Sequence, residues 1–581
     1  MRMRNSLWTS ILLGLSVAGL LAAPACKTAG GKDDARQAAQ QMAGPAYFTE
    51  IPADTPYIYA GTEPIPAEDV DDLVNTLKTL LDTAGSNIEA DESPEGPQEV
   101  LQAMAIEAAR KVAEEGPSSM GIETSPYVGA WGLGPLPVFR ISLDDADAFR
   151  SFVKDVESKV GVTSVEETTD GATVHRFFKE RDTEAVVVTR DGAVYMTIVP
   201  DDAKSAMMPY LTGSKKPASS LAKAATMPAL RDTYDFDPAT FGYVDVDGLV
   251  KTFMGVDKPS GITKEVLEAI GEIPEPASEV CGEEISELTT KIPRVIMGST
   301  NSSDEPFSFV FGMETSESVA ADLNSIQGRI PGVSNTLFGR AMASIGVGID
   351  LEATQTLAKQ RAAELREDPY ECEQLKQMNE QAKRADSAQF IRPAWLAKLH
   401  GFSLMVDSVE FGSSFQDLRA LNAVGLVASP EIQTIFSQLR MFVPGLQELE
   451  VSEDGAPVLL ERLSKQSKRL ESPHLAMTSK IIGASIGAKM AAELERVLKP
   501  ETSDSSEAEA SSQAADDRAM MAFRFHCKSI VDSLPESARE MATKITGGKD
   551  GKGCQISRKV TLRATDRGLF LNIDSQESSG D

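Results

Sequence analysis

The residues best placed to do chemistry are Gly483-Ala-Ser485-Ile-Gly487, a G-x-S-x-G spacing that falls between an apolar stretch and a helix beginning near Ala488. A serine nucleophile at such a turn needs a later acid and a later histidine. The only later histidine is His526, and the acids between lie mostly in a Ser/Ala/Glu/Asp tract. No Gly-rich oxyanion segment precedes the serine, so the pattern reads as a tight strand–helix turn of small residues. His526-Cys527 brings an imidazole beside a thiol, but neighbours on a strand point to opposite faces and cannot act together. Asp245-Val-Asp247-Gly248 lacks the third oxygen position and distal Glu of a calcium loop, and reads as a strand end capping a helix. Gly547-Gly-Lys-Asp-Gly-Lys-Gly553 lacks the closing G-K-[ST] of a phosphate loop and reads as a turn. His175, His400 and His474 are scattered, and no C-x-x-C or H-x-x-x-H spacing exists. No catalytic residue, metal ligand or cofactor motif emerges, and the chain is expected not to be an enzyme.

The N-terminus is more informative. Arg2 and Arg4 precede an apolar run from Leu7 to Ala22, about 16 residues, shorter than the ~20 needed to span a bilayer. Ala23-Pro24-Ala25-Cys26 follows. This arrangement is an export signal, and its end resembles the lipobox of bacterial lipoproteins, where the cysteine is acylated and becomes the new N-terminus. The resemblance covers the first 26 residues only. Ala23 stands where these proteins usually carry Leu, with Leu21 two positions further back, and Pro24 is unusual. Cleavage by an ordinary signal peptidase at Ala-Pro-Ala, releasing a soluble chain that starts at Cys26, and an uncleaved anchor are the alternatives. The resemblance implies lipidation at Cys26 and attachment to the membrane through that lipid. Lys27 stands where an Asp would signal inner-membrane retention, which implies the outer membrane, facing periplasm or surface.

Five cysteines leave an odd one in an oxidising compartment: Cys26, Cys281, Cys372, Cys527 and Cys554. With lipid on Cys26, four can pair. Of three connectivities, Cys281–Cys372 and Cys527–Cys554 close the shorter loops. Each bridge would contribute about 3–5 kcal/mol by restricting the unfolded chain.

The 581 residues are too many for one core, so two or more domains are expected. The net charge is −30, and losing Arg2 and Arg4 with the leader gives −30 − 2 = −32. That field repels nucleic acid and anionic headgroups, and no dense Lys/Arg cluster offsets it. Nucleic acid is therefore excluded as a partner.

The chain divides into a signal (1–25), the acylated Cys26 and a flexible tether (26–45), a first repeat (46–330) and a second (331–576). The second carries an acidic, disordered insert at 501–518. The duplication rests on four ordered matches. Val138–Phe149 resembles Val424–Phe436, both strand, cap and helix, with Ser429 and Pro430 expected at N-cap and N1. Val165–Val174 matches Leu449–Val458 around Asp170-Gly171 and Asp454-Gly455. Phe241–Val250 matches Phe523–Val531, and Tyr57–Gly61 matches Ala343–Ile349. Recurring hairpin turns with helices between them predict an α+β fold, two tandem related domains of mainly antiparallel sheet covered by helices on one face.

Two functional classes follow. The first is a non-catalytic cell-envelope lipoprotein with a binding or structural role and a possible envelope protein partner. The second is a membrane-tethered periplasmic carrier of a lipid or other apolar ligand, for which the 21 methionines would suit an adaptable pocket. The folded part also resembles uncharacterised bacterial lipoproteins that open on a Pro-Ala-Asp-Thr strand, here Pro52 to Thr55, and repeat αβ units. That resemblance implies no activity and no site residues.

Overall fold

A computed structural model describes residues 45–84, 94–179, 181–300, 307–387, 394–414, 416–466, 471–487, 489–499, 518–536, 538–539 and 556–577. The leader with Cys26, the tether to Gly44, the insert, Gly547–Gly553 and Cys554 lie outside these residues. The fold is mixed α+β, with 41% helix, 31% strand and antiparallel pairing throughout. The chain forms two compact units, dividing after Phe311.

In the first unit the elements run β1 (Tyr57–Ala60), α1 (Ala67–Ala84), α2 (Pro97–Glu115), β2 (Val128–Leu133), β3 (Leu136–Ser142) and α3 (Ala146–Val160). Next come β4 (Val165–Thr169), β5 (Ala172–Phe177), β6 (Thr183–Arg190), β7 (Ala193–Pro200) and α4 (Lys204–Leu211). The unit continues with α5 (Thr226–Tyr234), β8 (Phe236–Asp245), α6 (Val246–Phe253), α7 (Gly261–Ala269), α8 (Glu279–Thr290) and β9 (Arg294–Thr300), and β10 (Phe307–Glu314) carries the chain onward. Sheet order is β4-β5-β6-β7-β3-β2-β1-β8-β9. The hairpins turn where Asp-Gly pairs predict them: Asp170-Gly171 and Asp191-Gly192 all have positive φ, as tight hairpin turns demand. Helix α3 begins at Asp145, whose Oδ1 accepts from the N–H groups of Asp147 and Ala148 at 2.9 and 3.0 Å. It buries Phe149, Phe152, Val153, Val156 and Val160, a stripe at helical spacing, against Phe177, Val187 and Val194 of the sheet. Val100, Ala103 and Met104 of α2 complete that core. On the opposite face the entering chain is strapped down. Tyr47 donates its hydroxyl to the Gly61 carbonyl at 2.7 Å, and the Arg140 guanidinium lies 4.5 Å over its ring.

The second unit runs α9 (Glu317–Ile326), α10 (Thr336–Arg340), β11 (Ala343–Val347), α11 (Leu351–Glu367), α12 (Lys376–Ser387), β12 (Gly401–Phe411), β13 (Leu418–Ala428) and α13 (Ile432–Phe442). It ends with β14 (Val458–Leu459), α14 (Glu461–Gln466), β15 (His474–Met477), β16 (Ile481–Ile486), α15 (Met490–Leu498), β17 (Met521–His526), α16 (Cys527–Ser533), β18 (Ile556–Thr565) and β19 (Gly568–Glu577). Sheet order is β14-β15-β16-β13-β12-β11-β17-β18-β19. Helices pack on both faces, not on one. Ala476 belongs to the core under α15, while its strand neighbours Leu475 and Met477 belong to the core under α13. Alternate residues point oppositely, so two helices use the two sides of one strand. The helix after β13 starts at Ile432, with Glu431 at the N-cap rather than Ser429; Ser429 instead accepts the Glu431 N–H at 3.0 Å in a turn before the helix.

Candidate binding face

Ser485 is the penultimate residue of β16, opposite Val424 on β13 and His474 on β15. It is 1% exposed and its Oγ has no hydrogen-bond partner. His474 directs Nδ1 to the Ser472 carbonyl at 2.7 Å. A strand interior sealed under a helix admits no substrate, so the register brings serine and histidine side by side without an accessible nucleophile. The small-residue turn expected here is made by Gly487, at φ +110°, where a Cβ would stand 1.9 Å from Asn422 Oδ1.

Cys527 opens helix α16 rather than continuing a strand, and His526 ends β17 with Nε2 2.7 Å from the Gly339 carbonyl oxygen. Asp245 does end a strand and cap a helix: its Oδ1 accepts the Gly248 N–H at 3.0 Å at the start of α6. Cys281 and Cys372 are joined by a disulfide, and Cys527 is also disulfide-bonded. Its expected partner Cys554, like Cys26, lies outside the described residues. Among the described residues no three or more His, Cys, Asp or Glu side chains gather as a metal site would require, and no helix is long and apolar enough to cross a membrane.

The feature that stands out is a sheet face. Across five strands of the second unit, β12-β11-β17-β18-β19, the register aligns Phe402, Val347, Met521, Leu562 and Leu571 in one row. It aligns Leu404, Ile345, Phe523, Val560 and Ile573 in the next. All ten side chains are apolar, and none is buried: Phe402 and Leu404 are each 44% exposed and the others are half-buried. The opposite face of the same strands buries Met405 and Phe570 together with small or polar residues, Ser344, Ser403, Thr561, Gly346 and Ala522. There the segment before β11 presses against the sheet. Ser403 and Ser344 donate to the Pro331 and Phe338 carbonyls at 2.6 and 2.9 Å, and a Cβ on Gly346 would stand 2.2 Å from Ile330. The usual apolar-in, polar-out alternation is largely inverted, and a contiguous apolar patch of this kind marks a surface that something covers.

One more step along the same face gives Val406, Ala343, Phe525, Arg558 and Ser575. Arg558, half-buried, has no hydrogen bond or ion pair among the described residues. The ten residues of the two rows match no sequence motif. Alternation in Phe402-Ser-Leu404-Met and Val560-Thr-Leu562-Arg announces a two-faced strand but not which face is closed. The signal that could have found the site is that one face of these strands collects Ser, Thr, Gly and Ala, residues suited to close backbone approach. The chain matches no known protein family, and no curated protein and no solved structure shows significant similarity to it.

Proposed function

We propose that the protein is a non-catalytic, lipid-anchored component of a bacterial cell envelope, built from two related tandem α+β units, that binds an apolar partner on the open sheet face of the second unit. The ten-residue apolar face, left open while small residues fill much of the buried side, is the observation that carries the binding role. Cys26 in its lipobox-like setting supports the anchor, and the disulfide at Cys281–Cys372 is consistent with an oxidising compartment.

The strand orders support duplication. Written side by side, β5-β6-β7-β3-β2-β1-β8-β9 and β14-β15-β16-β13-β12-β11-β17-β18 correspond position by position. In each, two helices separate the first two strands and one helix follows the third. The strand–helix junctions Asp245 and His526 set Gly242 against Phe523, one residue from the pairing of Phe241 with Phe523. Intact mass of the protein recovered from membranes tests the anchor: a mature chain starting at an acylated Cys26 is expected, and an unmodified Cys26 refutes it. Native mass spectrometry tests the binding role. An adduct that disappears with Leu404→Asp is expected, and identical spectra for both proteins refute it.

A further inference from the structure

Resting on that binding role, we infer that the occupant of the open face is a long-chain fatty acid, its carboxylate held by Arg558 and its chain laid diagonally toward Phe402. Strands lie ~4.8 Å apart and same-face residues ~6.8 Å apart along a strand. From Arg558 on β18 to Phe402 on β12 is three strand spacings across and two same-face steps along, about 20 Å. The route passes over Phe523, Ile345 and Leu404 without meeting a polar side chain. At its start is a guanidinium with no partner among the described residues, and guanidinium binds carboxylate through paired, charge-assisted hydrogen bonds.

Other occupants fit less well. The two apolar rows cover roughly 300–350 Å² in plan, well short of the ~800 Å² per partner of a stable protein interface. A second copy would bring another net charge of −30 against the first. By composition the stretches 501–517, with no Leu, Ile, Val, Met or Phe, and 540–555, with one Met and one Ile, carry little apolar surface of their own. A small anion is less affected by the overall charge, because beyond ~8–10 Å salt screens it and the local guanidinium dominates.

The test is calorimetric titration of the full chain carrying Cys26→Ala, so that its own acyl groups do not compete, with palmitate, decanoate and hexadecanol. One palmitate per chain is expected, with each methylene between decanoate and palmitate tightening binding by up to about fourfold. Leu404→Asp should abolish binding. Arg558→Gln should weaken palmitate at least about tenfold and leave hexadecanol unchanged. Both side chains lie on the open face, so melting temperatures should match the parent. Palmitate binding that survives both substitutions, or lacks chain-length dependence, overturns the inference. So does a self-associated state in sedimentation that Leu404→Asp dissolves, which makes the face an interface between copies. Failure to bind palmitate overturns it too, while the adduct measurement above judges the binding role separately.

Discussion

Replacing Glu184 by Gln should destabilise the first unit more than any surface change can. Arg176 on β5 and Glu184 on β6 form a two-pronged pair, Nε to Oε2 at 2.7 Å and Nη2 to Oε1 at 2.6 Å, with side chains 6% and 2% exposed. Lys204 at the start of α4 stands 3.3 Å from Glu184 Oε1, and Glu167 stands 3.6 Å from Arg176 Nη1. Withdrawing one charge leaves a desolvated guanidinium with only the more exposed Glu167 as a counter-charge, at a cost of about 3–5 kcal/mol. Surface pairs contribute ~0–1 kcal/mol by comparison. Replacing both partners by apolar residues of similar volume, Arg176→Met with Glu184→Leu, removes the charges together and should recover most of that loss. The assay is urea unfolding followed by Trp131, buried in this unit, in a Trp8→Phe, Trp395→Phe background so that a single tryptophan reports. At roughly 2–4 °C per kcal/mol, the single substitution should also lower the unit's melting temperature by about 6–20 °C. A loss below 1 kcal/mol for Glu184→Gln, or a double variant as unstable as the single one, would refute the reasoning.

Two other outcomes follow from the same structure. The Cys281–Cys372 bridge closes a loop of 372 − 281 = 91 residues, so replacing both cysteines by alanine should cost about 4–5 kcal/mol in urea unfolding, and non-reducing peptide mapping should recover the linked pair. His175 is 2% exposed with Nδ1 3.2 Å from Ser164 Oγ, and burial pushes its pKa below the ordinary histidine value. Nearby Glu166 and Glu157 pull the other way, and Arg150 and Lys154 add to the lowering. A base held neutral in the fold contributes stability fully present above the unfolded value near 6.5 and lost as pH falls below it. The urea midpoint should therefore drop between pH 7 and pH 5, and His175→Gln should flatten that slope; equal slopes in both proteins would show that other groups set the pH dependence.

Local chemistry made much of this fold readable from the chain. Asp170-Gly171 and Asp191-Gly192 need positive φ, which few residue pairs provide, so the hairpins could be placed to the residue. The strand, cap and helix over Val138–Phe149 were equally direct. What failed depended on tertiary partners. Ser429-Pro430 has good helix-start chemistry, yet the hydroxyl spends its bond on a turn and the helix waits for Ile432. The serine of G-x-S-x-G looked like a turn residue because Gly487 is one; the strand simply reaches two residues further than the small side chains suggest. The open face could not be read at all, since alternation fixes that a strand has two sides while the segment at 330–341 decides which side closes.

That decision also bears on what ten half-open apolar side chains imply for contacts between copies. In the first unit, α2 lies between β1 and β2 in sequence and adds Val100, Ala103 and Met104 to the core on the sheet. In the second unit, the helix in the corresponding chain position is α12, Lys-Gln-Met-Asn-Glu-Gln-Ala-Lys-Arg-Ala-Asp-Ser, whose apolar residues are one Met and two Ala, with Ala382 buried and Met378 39% exposed. Such a face would ordinarily draw copies together. A net charge of −30 opposes that encounter over the whole protein surface, and the patch is too small to overcome it. The same charge is a weak barrier to a ligand of one charge arriving at Arg558. Acidity and an open apolar face are thus compatible in one molecule if the occupant is small, which is why raising the ionic strength should strengthen self-association of this chain sooner than it strengthens ligand binding.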